Sequence, residues 1–370
     1  MGKIINFVKN ETVLVISWVL AFVSMFFVVP DAEYVSYIDM YTLILLYCLM
    51  LAMEGFREQG VFSCAGNLLL KRVHTIKQLE TVLIFLPFVF SMFITNDVAL
   101  ITFVPLALEI LVMAKAEDRL VFVVAMQTVA ANLGSMLLPI GNPQNIYLYS
   151  YGGYSLGEFV SVMLPYAVIS AIIIALMIAM GRGSEKINIK NSDTAVKNKI
   201  KIIMYAVIFT ASLCTVAKLL NVYALLVITL IAVLVLDRAI IKKANYSLLL
   251  TFVGFFVFVG NMGRIDAVKS ILQSLLEGHE AVVSIILSQA ISNVPAALLL
   301  SDFTQNCDAL LIGVNIGGLG TLIASMASLI SYKYVCTEFP KKHRTKYFAY
   351  FTKVNILFLV ILTSVYFVIR

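Results

Sequence analysis

Thr95-Asn96-Asp97 stands between apolar arms at 79–94 and 98–113, and Ser292-Asn293-Val294-Pro295 stands between shorter arms at 281–291 and 296–300. Each arm of the first pair is about as long as a membrane-entering helix, yet Thr95-Asn96-Asp97 is polar enough to break a single long span. Ionisable and amide groups at such depth are expensive unless partnered, and mark functional sites by default. Paired interrupted apolar segments in the two halves of a chain are the sequence pointer to a transporter's binding site.

After each hairpin comes a long apolar run broken by small and polar residues, 131–145 and 315–325. Pro139 and Pro143 remove backbone donors, and the glycines permit unwound dihedrals, so carbonyls and amides are freed inside the membrane. Such backbone is tolerated only where protein or a wet cavity surrounds it. Helix N-termini there, with the amides of Asn96, Asn132, Asn142, Asn145, Asn293 and Asn315, would bind an anion without any fixed lysine or arginine. Freed carbonyls and the hydroxyls of Thr95, Ser135, Ser292, Thr321 and Ser325 would hold a small cation beside it. The expected substrate-binding set is Thr95, Asn96, Asn142, Asn145, Ser292, Asn293, Thr321 and Ser325. The expected coupling-ion set, for Na+ or H+, is Asp97, Asn132, Ser135 and Asn315. The same Asn and Ser residues would also serve as plain helix caps, and the glycines as plain packing contacts; recurrence in the same order in both halves favours a site. Asp97 has Val294 as its counterpart, so its role is not symmetric.

The rest of the composition narrows the class. With 61% hydrophobic and 13% charged residues and mean hydropathy +0.97, the chain is a polytopic membrane protein embedded in the lipid bilayer, not a soluble fold. The net charge of +6 lies in short loops, so no nucleic-acid partner is expected. Cys48, Cys64, Cys214, Cys307 and Cys336 lack C-x-x-C spacing, the three histidines are scattered, and no nucleophile-base pair or metal motif appears. No cofactor, metal centre or enzymatic activity is expected.

Full spans are expected near 12–29, 38–54, 118–150 (interrupted), 157–180, 201–219, 222–240, 246–263, 308–334 (interrupted) and 347–369, with re-entrant hairpins at 79–113 and 280–303. The run 12–29 reads as a retained span and not a signal peptide. Amphipathic surface helices are expected at 56–70 and 265–276. A cytoplasmic N-terminus and an outside C-terminus leave only Lys218, Arg264, Lys269 and Arg370 outside, as the positive-inside rule requires. The fold expected is an all-α inverted-repeat transporter: 1–180, a cytoplasmic linker 181–200, and 201–370.

At Thr95-Asn96-Asp97, 132–149, Ser292-Asn293-Val294-Pro295-Ala296 and 317–332, the sequence resembles the ion transporter superfamily of citrate permeases, arsenite pump membrane subunits, sodium/proton antiporters and divalent-anion/sodium symporters. The resemblance covers most of the chain. It implies a homodimer in the cell membrane, a scaffold with a moving transport domain, elevator-like alternating access, and a small anion or oxyanion coupled to Na+ or H+. Arsenite efflux and sodium/proton exchange are the alternatives within it. In the dicarboxylate branch both hairpin tips read Ser-Asn-Thr; here the third positions are Asp97 and Val294.

Overall fold

Apolar runs punctuated by Asn, Asp and Ser make a molecule built of helices. The computed structural model describes residues 11–70, 73–181, 185–186, 197–338 and 341–370; most of the expected linker 181–200 lies outside the described residues. In chain order the helices are α1 Thr12–Ser24, α2 Met40–Glu58, α3 Val61–Leu70, α4 Ile76–Phe93, α5 Asn96–Met113, α6 Leu120–Ser135, α7 Pro143–Tyr151, α8 Leu156–Met180 and α9 Lys199–Val216. They continue as α10 Val222–Leu236, α11 Tyr246–Gly263, α12 Asp266–Leu276, α13 Glu280–Ile291, α14 Asn293–Ser301, α15 Cys307–Gly317, α16 Met326–Glu338 and α17 Lys341–Ile369. Among the described residues seven helices are long and apolar enough to cross a membrane, or up to eight if one bent pair is counted as a span. The fold is therefore all-helical and polytopic.

Short polar side chains set where these helices begin. Asp39, Asn142, Ser155, Asn198, Asn221, Asn245 and Asn306 each accept a hydrogen bond from an N–H of the following first turn, satisfying donors that a helix start leaves unpaired. Two spans are shorter than the sequence suggests. Helix α1 stops at Ser24, short of 29, where Ser24 Oγ donates to Ala21 O at 2.7 Å. Helix α10 stops at Leu236, short of 240, because Asp237 is drawn to Tyr205 Oη at 2.8 Å and Lys201 Nζ at 2.9 Å on α9. The surface helix expected at 56–70 begins only at Val61, since Phe56 belongs to α2. The one expected at 265–276 is α12, which meets α13 at a 110° bend where Gly278 adopts φ +75°.

Packing then places the interrupted helices. Helix α4 lies along α6, α13 along α15, α1 along α11, and α9 along α2. The α4–α6 approach leaves no room for a side chain at Gly134, where a Cβ would sit 2.0 Å from Phe88 O. Polar contacts separate the two ends of the bundle. At one end Arg264 meets Asp31, Arg370 and Tyr154 meet Asp308, and Lys218 reaches Gly153 O. At the other, Lys201 meets Asp237, Lys243 meets Glu58, Arg119 meets Glu80, and Lys77 reaches Ala179 O.

Gly134→Ala is expected to lower stability by about 1–3 kcal/mol, because backbone must shift to admit the methyl group. Gly157→Ala, with open space around it, is expected to be neutral or slightly stabilising; thermal melts of the two purified variants check both.

Candidate functional site

Both hairpin tips are turned by one or two residues. Helix α4 ends at Phe93, Ile94 and Thr95 are extended, and α5 starts at Asn96. Between α13 and α14 the turn is Ser292 alone, held at φ +79° and ψ 156°. A β-carbon residue is strained there. The turn persists because Asn293 N donates to Ala324 O at 3.0 Å and Ser292 Oγ to the same oxygen at 3.3 Å.

The two tips and the two breaks are joined by carboxamides. Asn132, near the end of α6, accepts Asn96 Nδ2 at 2.9 Å and Ser325 Oγ at 3.0 Å on its Oδ1, and donates from Nδ2 to Gly318 O at 3.4 Å. The Asn293 carboxamide lies against Gly318, 2.8 Å from where a Cβ would stand. On the other side of the break, Asn142 Nδ2 donates to Ser135 Oγ and Asn315 Oδ1, both at 3.2 Å, while Asn315 Nδ2 donates to Asn145 Oδ1 at 2.7 Å. Asn145 Nδ2 lies 3.3 Å from the carbonyls of Ser135, Met136 and Leu138. Residues from 96 to 325 thus meet in one buried knot. Asn96, Asn132, Ser135, Asn142, Asn145, Ser292, Asn293, Asn315 and Ser325 are each at most 5% exposed.

The remaining expected residues sit at its margin. Thr95 and Asp97 are half-buried and Thr321 is exposed. Among the described residues the Asp97 carboxylate has no hydrogen bond or ion pair; only its backbone N–H is bonded, to Asn96 Oδ1 at 2.9 Å. Thr321 is bound to a residue that sequence reasoning missed. Gln289 Nε2 donates to Gly317 O and Leu319 O at 2.9 Å, and its Oε1 accepts Thr321 N at 2.9 Å. Gly320, at φ +104°, would put a Cβ 2.3 Å from that oxygen. Gln289 therefore holds the second break as Asn145 holds the first. The signal available was the one carboxamide in the arm 281–291, whose other polar residues are Ser284 and Ser288.

Helices α5, α7, α14 and α16 all begin at this knot, so four helix N-termini point their partial positive charge toward it. Interrupted helices gathered inside a membrane bundle are the build of a solute transporter. The citrate transporter profile matches residues 4–308, and the chain belongs to that family. It is 32% identical over 311 residues to "Uncharacterized transporter MJ0456" of Methanocaldococcus jannaschii, covering 83% of this chain and 84% of that protein. It is 29% identical over 325 residues to "Inner membrane protein YbiR" of Escherichia coli, covering 85% and 86%. The protein is thus a multi-pass membrane transporter and not an enzyme.

Two substitutions probe the knot. Ser292→Gly is expected to raise the melting temperature, since removing the strained Cβ returns about 1–3 kcal/mol against two weak hydroxyl contacts. Asn132→Leu is expected to lower stability by about 3 kcal/mol by leaving the Asn96, Ser325 and Gly318 groups unpaired; calorimetry or thermal melts in detergent read both.

Proposed function

We propose that the protein is a secondary active transporter of a small anion or oxyanion, citrate- or dicarboxylate-like or inorganic, driven by a coupled cation. The observation that carries this reading is the knot itself. Four helix N-termini and neutral carboxamides converge there, which suits an anion that must be released as well as bound. Hydroxyls and freed carbonyls beside them suit Na+, and the unpaired Asp97 carboxylate at the first turn of α5 suits Na+ or H+.

The same reading makes 1–180 and 201–370 inverted copies. Helices α4 and α5 form one re-entrant hairpin and α13 and α14 the other, each packed on an interrupted span, 120–151 or 307–338. Helices α4 and α6, 18 and 16 residues long, put about 24–27 Å between the tips and one end of the bundle. Helices α13, α14 and α15, of 12, 9 and 11 residues, put about 14–18 Å between the tips and the other end. The first end, rich in Lys and Arg, is cytoplasmic; the second, with Arg264, Lys218 and Arg370, faces outside. Elevator-like movement of hairpins and breaks against a scaffold, in a homodimer in the cell membrane, completes the reading.

In proteoliposomes, radiolabelled citrate is expected to accumulate under an inward Na+ or H+ gradient and to stop when an ionophore collapses it. Asp97→Asn is expected to abolish the gradient's effect while leaving downhill exchange. Uptake that stays flat under every gradient, for citrate, succinate, phosphate and arsenite alike, contradicts the proposal. Sodium/proton exchange through Asp97 is the second reading, favoured by that unpaired carboxylate; sodium-driven dissipation of a pH gradient without any anion present distinguishes it.

A further inference from the structure

Helix α7 opens with donors left over. Pro143 has no N–H, and the capping oxygen of Asn142 takes the Asn145 N–H at 3.0 Å, leaving the Gln144 N–H outside that bond. Gln144 is 1% exposed, yet its Nε2 has no hydrogen-bond partner among the described residues. Its neighbours Asn142 and Asn145 both have their carboxamides bonded. A buried unpaired amide costs about 1–3 kcal/mol, and an apolar side chain of the same size would avoid it.

Helix geometry gives the group its place on α7. Gln144, Tyr147 and Tyr151 fall at i, i+3 and i+7, on one face of α7. Tyr147 and Tyr151 line a cavity of about 390 Å³ with Phe256, Leu298 and Asp302. Gln144 lies about 10 Å further along the helix axis than Tyr151, toward the knot. Between the two levels Tyr147 Oη meets Ser301 Oγ of α14 at 2.7 Å. Two carboxylates, Asp39 and Asp302, sit among the cavity's lining residues; Asp39 is already occupied by the Thr42 N–H at 3.1 Å and Oγ at 2.5 Å.

We propose that Gln144 is an anion-binding residue, its carboxamide N–H and the N-terminus of α7 together holding one oxygen of a carboxylate or inorganic oxyanion at the knot. The assignment rests on the reading of the protein as an anion transporter. Loss of one hydrogen bond to a charged group weakens binding about tenfold or more.

The test uses full-length purified protein, with thermal-shift and calorimetric titrations of citrate, succinate, phosphate and sulfate on wild type, Gln144→Met and Gln144→Glu. The expected result is an anion response in wild type, with Kd raised about tenfold or more in Gln144→Met and no measurable response in Gln144→Glu. The melting temperature of ligand-free Gln144→Met is expected to equal or exceed that of wild type, because the substitution removes an unpaired donor and breaks no bond. If wild type responds while Gln144→Met binds with unchanged Kd, or if ligand-free Gln144→Met melts lower or fails to fold, the residue is structural and the assignment is overturned with the anion reading intact. If none of the four anions binds wild type, the anion reading falls and the assignment falls with it.

Discussion

A backbone group released inside hydrocarbon must find a partner in the protein, and that requirement shapes this structure. Each of the two breaks after a hairpin frees carbonyls, and a carboxamide collects them. Asn145 takes those of residues 135, 136 and 138, and Gln289 takes those of 317 and 319. Once the breaks are held, their glycines let the hairpin arms come close, and the arms bring Asn96 and Asn293 to the same place. Asn132 joins the first tip to the second break, since its one side chain bonds Asn96 before it in sequence and Gly318 and Ser325 after it.

This architecture also explains why the centre carries so little formal charge. Among the described residues no three His, Cys, Asp or Glu side chains gather into a metal-binding group. The ion pairs lie at the ends of the bundle. A lysine at the knot would have to be paired or neutralised at that depth, and a permanently paired charge binds no solute. Partial charges from helix N-termini and amides avoid both outcomes, and the side chains at this knot are those of Asn and Ser. Asp97 is the exception, and after the second tip the corresponding position is Val294.

Much of this was legible in the sequence because polar residues in an apolar run have few structural uses. The spacing of Thr95-Asn96-Asp97, 131–145, Ser292-Asn293 and 315–325 located the tips and breaks within a few residues. What hydropathy could not give was partnership. Gln289 reads as one polar residue beside Ser284 and Ser288 in an arm, and only the fold sets it across from Gly317 and Leu319. Thr321 reads as a site hydroxyl, but the turn at Gly320 hands it to Gln289 and leaves it exposed. The early ends of α1 and α10 depend on contacts with distant residues, such as Lys201 and Tyr205 on Asp237, that no local pattern encodes.

The meeting of the two hairpin systems is open to a distance measurement in lipid. Spin labels on Phe93→Cys, beside the first tip, and Ile323→Cys, in the second break, replace two exposed side chains in a background cleared of the native cysteines. A few hydrogen-bonded links of about 3 Å each join the two segments, so a pulsed electron resonance distance below about 25 Å is expected. A distance beyond about 40 Å, the thickness of a whole bilayer, would place the tips at opposite faces and contradict a shared site.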